Sequence, residues 1–92
     1  MNDVSANPSP ATLRTRLLAL IGQILNQGDG RTLPVDAPLS ELGMSSIKMV
    51  NLMLAVEGEF NLNIPQHEIT PDNFRSVSSI ETLLGRLLAA KP

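Results

Sequence analysis

Leu39-Ser40-Glu41-Leu42-Gly43-Met44-Ser45-Ser46-Ile47 is the pivot of this 92-residue chain. It separates a segment rich in Gly and Pro from an apolar run at helical spacing. Gly43 breaks the backbone, and Ser45 or Ser46 supplies an N-cap. A helix is predicted from about Ser46 to Phe60, ended by Asn61 to Pro65. Its pattern is unusual. With Ser46 at zero and about 100° per residue, Met49, Leu52, Met53, Val56 and Phe60 fall within about 240–340°. That is a core stripe. Ile47, Val50 and Leu54 fall within about 40–100°, a second apolar stripe. A surface helix of a small domain needs only one. Either the preceding loop folds over the second stripe, or a partner docks on it beside Ser46.

The flanks read as helix and loop. Ser9-Pro10 starts a first helix, with Leu13, Leu17, Leu20, Ile21 and Ile24 at helical spacing and a stop near Asn26 to Gly28. Residues 28–44 form a long connection, which Leu33, Val35, Leu39 and Leu42 can tack to the core. Thr70-Pro71-Asp72 starts a short third helix with Thr70 as cap. Ser78-x-x-Glu81 reads as a capping box opening a last helix that carries Val77, Ile80, Leu83, Leu84, Leu87 and Leu88. No strand-like alternation or internal repeat is found. The expectation is an all-α bundle of three main helices and a short one, spanning 10–90, with a long first loop. Residues 1–9 read as a disordered tail.

Composition removes most other classes. There are no Cys residues, so disulfides, thiolate metal sites and a cysteine nucleophile are excluded. A single His (His67) makes a Ser–His triad or a multi-His metal site improbable, and no metal site is expected. Phe60 and Phe74 are the only aromatics, too few for a nucleic-acid stacking platform. The net charge of −2 argues against a nucleic-acid binder, and Arg14, Arg16 and Arg31 do not make a patch. No apolar run approaches the roughly 18 residues of a membrane span. The N-terminus lacks the basic and apolar regions of a signal peptide, so a cytoplasmic location without membrane association is expected. His67, Asp29, Asp36 and Glu41 read as solvated loop residues.

The pivot stretch resembles the phosphopantetheine-attachment motif of acyl carrier proteins and peptidyl carrier domains. Their pattern is Leu-Gly-x-Asp-Ser-Leu/Ile before a helix ending in Glu-x-x-Phe-x-x-x-Ile-Pro. Glu57, Phe60, Ile64 and Pro65 continue it here at the right spacing. The resemblance covers about residues 13 to 88. It implies an acyl-carrier-like four-helix bundle and a carrier that is not an enzyme. Ser46 matches the modified serine, on which a phosphopantetheinyl transferase would install 4′-phosphopantetheine from coenzyme A. Acyl or aminoacyl cargo would ride on the arm's thiol as a thioester. The implied partners are that transferase, a loading ligase or acyltransferase, and a downstream synthase or transferase; a monomer is expected. Ile47, Val50 and Leu54, with Met44 in the loop, become the docking patch. Met49 and Met53 read as core filling, or as a wall for an acyl chain. Arg75 is a candidate for meeting a partner or the arm's phosphate.

The sequence departs from that pattern at two places. The family's Asp before the serine is Ser45 here, which creates two candidate attachment hydroxyls. Register with Gly43 and Ile47 favours Ser46 over Ser45. The second helix also carries Lys48, Asn51 and Gly58 where fatty-acid carriers have acids. Electrostatic steering toward a basic partner is therefore weak, and docking leans on apolar contact. These features suggest a specialised free-standing member, of which some carry amino acids. The alternative is an unmodified helical interaction module that keeps the fold and has lost attachment.

Overall fold

The computed structural model describes residues 10–90, so the tail expected over 1–9 lies outside the described residues. Three helices form: α1 Pro10–Leu25, α2 Ser46–Phe60 and α3 Val77–Ala90. There is no strand among the described residues. Leu13, Leu17, Ile21 and Leu25 repeat every four residues along α1 and are buried. Leu52, Val56 and Phe60 from α2 meet them, as do Val77, Ile80, Leu83, Leu84 and Leu88 from α3, in one core.

α1 ends where Asn26 turns left-handed, at φ 60°, and the Gln27 N–H donates to the Gly22 carbonyl at 2.7 Å. The chain then folds back so tightly that a Cβ on Gly22 would lie 2.5 Å from the Gly30 nitrogen. Glycine is required there because backbone meets backbone. The long connection is not loose. Leu33 and Leu39 are buried, and Val35 and Leu42 pack partly against the core. The Ser78 N–H donates to the Val35 carbonyl, and the Ser78 hydroxyl to Asp36 Oδ1 at 2.7 Å.

The carrier-like Glu57, Phe60, Ile64 set has a physical reason. Phe60 and Ile64 are core residues, and Glu57 Oε2 accepts the Ile64 N–H at 2.8 Å. The carboxylate thus pins the chain leaving α2 to the helix it has just left. Arg16 of α1 closes the same end. Its guanidinium stacks 4.5 Å from the Phe60 ring centroid and donates to the Glu59 carboxylate and carbonyl.

Two local expectations are corrected. The short extra helix is a 3₁₀ turn over Gln66–Glu68, ahead of the predicted start at Thr70. Thr70 does cap: its Oγ1 accepts the Asn73 N–H and its carbonyl the Phe74 N–H. The turn does not lengthen into a helix: the Arg75 carbonyl accepts the Leu39 N–H at 2.8 Å, and Ser76 already caps α3. The expected capping box is likewise displaced. Ser76 Oγ accepts the Ser79 N–H, so α3 begins at Val77. Glu81 instead reaches across to Arg14 of α1 at 2.6 Å, which raises the Arg14 pKa above its ordinary value. Glu68 is held by Arg86 at 3.0 Å, and that hydrogen bond keeps its carboxyl below the usual carboxylate range.

Candidate functional site

The entry to α2 is built by a short sequence of turns. Leu39–Leu42 forms a 3₁₀ turn, closed by Gly43 in the left-handed region at φ 99°. The N–H groups of Gly43 and Met44 both donate to the Leu39 carbonyl. That reversal sends Met44 inward and the two serines outward. Ser45 takes an extended conformation, and its Oγ accepts the Lys48 N–H at 3.2 Å. Ser45 is therefore the N-cap, with its side chain engaged in the helix it starts. Ser46 is the first helical residue, exposed, and its hydroxyl makes no hydrogen bond among the described residues. The next peptide N–H groups point the positive end of the helix dipole at the same spot, which favours a phosphate ester there.

The second apolar stripe stands open. Ile47 is 76% exposed, Val50 55% and Leu54 62%, so the long loop does not cover them. The loop spends its apolar residues on the core instead. Met44, expected as a docking contact, is only 7% exposed and belongs to the core. The Gly43 reversal is the cause, since it turns the following side chain inward. Met49 and Met53 are partly buried against the same core.

A cavity of about 510 Å³ opens beside Ser46. Its walls include Met44, Met49, Met53, Phe74, Arg75 and Ser46 itself. The volume is that of an ordinary small-molecule site. The Leu39 N–H bond to the Arg75 carbonyl ties the two rims together. Pro71 and Phe74 reach this cavity from the far side of the chain, and sequence periodicity offers no sign of that contact. His67 is exposed on the 3₁₀ turn, 4.0 Å from Glu68. Asp29 pairs with Arg31, and no acidic or His cluster able to hold a metal occurs among the described residues.

These residues fit a phosphopantetheine group. An unengaged hydroxyl faces solvent at a helix N-terminus, and a mostly apolar cavity lies beside it. Comparison with known proteins agrees. Residues 15–84 match the family model described as phosphopantetheine attachment site. Aminoacyl carrier protein 1 of Bradyrhizobium diazoefficiens is 44% identical over 73 residues, 78% of this chain and 81% of the relative. The aminoacyl carrier protein of Agrobacterium fabrum is 33% identical over 88% of this chain and 94% of the relative. A chain in the crystal structure of Bradyrhizobium japonicum glycine:[carrier protein] ligase complexed with glycylated carrier protein superposes with a TM-score of 0.64. It is 44% identical, over 77% of this chain and 97% of that one. A second complex of that ligase, with cognate carrier protein and an analogue of glycyl adenylate, contains a chain matching at TM-score 0.70 and 39% identity, over 80% and 97%. The chain therefore belongs to the phosphopantetheine-attachment family, the carrier proteins that hold cargo on a 4′-phosphopantetheine prosthetic group.

Proposed function

We propose that Ser46 bears the 4′-phosphopantetheine arm and that the cargo is an aminoacyl group, loaded by a stand-alone ligase. One observation carries the site: of the two adjacent serines, Ser45 is engaged as the helix cap and Ser46 is not. The cargo class rests on relatives named aminoacyl carrier proteins and on neighbours solved with a glycine:[carrier protein] ligase. When bound, the arm supplies a thiol to a chain that has no Cys. The chain's own residues do no bond-making on the cargo. Ser46 offers the attachment oxygen, and α2 orients it outward. Ile47, Val50 and Leu54 present an apolar surface to the loading enzyme, and a downstream transferase or synthase reads the same face. Tethering raises the cargo's effective concentration at each partner's site.

The test is intact mass after incubation with coenzyme A and a broad-specificity phosphopantetheinyl transferase. One added group is expected on the wild type and on Ser45→Ala, and none on Ser46→Ala. No addition to a folded wild-type protein would favour an unmodified interaction module. Loss of addition in Ser45→Ala alone would move the site by one residue.

A further inference from the structure

The cavity beside Ser46 contains one ionisable side chain. Its walls are Leu39, Met44, Met49, Val50, Met53 and Phe74, with prolines and serines, and Arg75 is the sole charge among them. Arg75 is also unusual among the cations of the chain. Arg14, Arg16, Arg31 and Arg86 each pair with a carboxylate at 2.6–3.0 Å. Arg75 has no such partner among the described residues, and its side chain is exposed. Lys48 is the other described cation without one, but about 200° around α2 from Ser46 it does not reach the cavity.

The backbone of Arg75 is fixed. Phe74 and Ser76 on either side are buried, and its carbonyl accepts the Leu39 N–H. A guanidinium is thus held at the edge of a mostly apolar cavity that Ser46 borders, with no carboxylate among the described residues paired to it. A cavity of this kind suits a ligand with one negative charge at one end and an uncharged body. A guanidinium is the side chain best shaped to take phosphate oxygens in pairs.

We propose that Arg75 binds the phosphodiester at the root of the arm on Ser46 and so lays the first part of the arm along the cavity. This rests on the reading that Ser46 is the attachment site. Arg75 is a positioning residue: it meets the phosphodiester and leaves the distal thiol free to reach a partner.

The experiment uses ¹⁵N-labelled full chain, before and after conversion by the transferase, with conversion confirmed by intact mass. The Arg75 Nε–H resonance is expected to move on conversion, while those of Arg14, Arg31 and Arg86 stay in place. The ³¹P resonance of the holo-protein is expected to shift in Arg75→Gln and to return toward the wild-type value in Arg75→Lys. Raising the salt should erase the difference between wild type and Arg75→Gln, because the contact is partly exposed. The spectra themselves report whether each variant is folded. An Arg75 resonance that does not move in protein whose mass shows the group attached would overturn the proposal and leave the attachment site standing. A response to inorganic phosphate in the unmodified protein as large as that in the holo-protein would overturn it too, by showing a general anion site. No added mass at all would remove the attachment site first, and this proposal with it.

Discussion

The two apolar faces of α2 are made of the same kinds of residue and have opposite fates. Leu52 and Val56 are fully buried, whereas Leu54, between them in sequence, is 62% exposed. Composition does not separate them, since Leu occurs on both faces. What separates them is which face the rest of the chain has material to cover. α1 and the apolar residues of the long loop are all committed to the core side. The open face is therefore a surplus, and it lies next to Ser46, whose hydroxyl is unengaged among the described residues. A bundle this small gains nothing in stability from exposed Ile, Val and Leu. The surplus makes sense as an apolar surface that is buried only when a partner arrives.

The largest effect that would break this contrast comes from changing a leucine on each face. Leu52→Ala should cost about 2–5 kcal/mol, because it removes a fully buried side chain and leaves a void in the core. Leu54→Glu should leave the melting temperature near that of the wild type. Its loading rate by a cognate ligase should nevertheless fall by about thirtyfold, the loss of one central contact worth about 2 kcal/mol. Thermal denaturation and a loading assay, run on both proteins, check the pair. If Leu54→Glu unfolds, the second stripe belongs to the core.

The contrast was largely legible in the sequence. A helical wheel separates the stripes, and Ser45 and Asn61 mark the ends of α2 where the structure has them. Whether the loop covers the second stripe was not legible from the helix itself, because that depends on where the loop residues Leu33 and Leu39 go; the family resemblance alone pointed to an open docking patch. Met44 shows the limit most plainly. As a loop residue beside the serines it reads as exposed, and only the left-handed turn at Gly43 sends it inward. At the start of α3, Ser76, Ser78 and Ser79 all satisfy the local rule for a cap. Tertiary contacts choose among them, since Ser78 is drawn to Asp36 and Glu81 to Arg14. The cavity was invisible for the same reason: Phe74 and Met49 are far apart along the chain.

Two adjacent serines sharpen the comparison on a smaller scale. Ser45→Ala removes the side-chain acceptor of the Lys48 N–H and should lower stability by about 1 kcal/mol. For a domain of this length that is about 4–8 °C in melting temperature. Ser46→Ala should leave stability unchanged, since its hydroxyl makes no hydrogen bond among the described residues. Equal losses in the two variants would mean that both hydroxyls hold the helix and that the division of labour between them is wrong.

The smallest expected effect concerns Gly58, which lies one turn beyond Leu54 on the exposed side of α2. Glycine inside a helix is destabilising by about 0.5–1 kcal/mol relative to alanine, unless something needs the missing Cβ. At Gly22 that need is plain, since the backbone of Gly30 fills the space. At Gly58 a Cβ would meet nothing within 4 Å, and the residue has no left-handed φ to protect. Gly58→Ala should therefore raise stability by about 0.5–1 kcal/mol, read as a higher denaturant midpoint with an unchanged slope. A gain would confirm that this side of α2 is free of intramolecular contact through its last turn. A loss would mean that part of the chain rests on Gly58 in solution, and the open face would then end at Leu54.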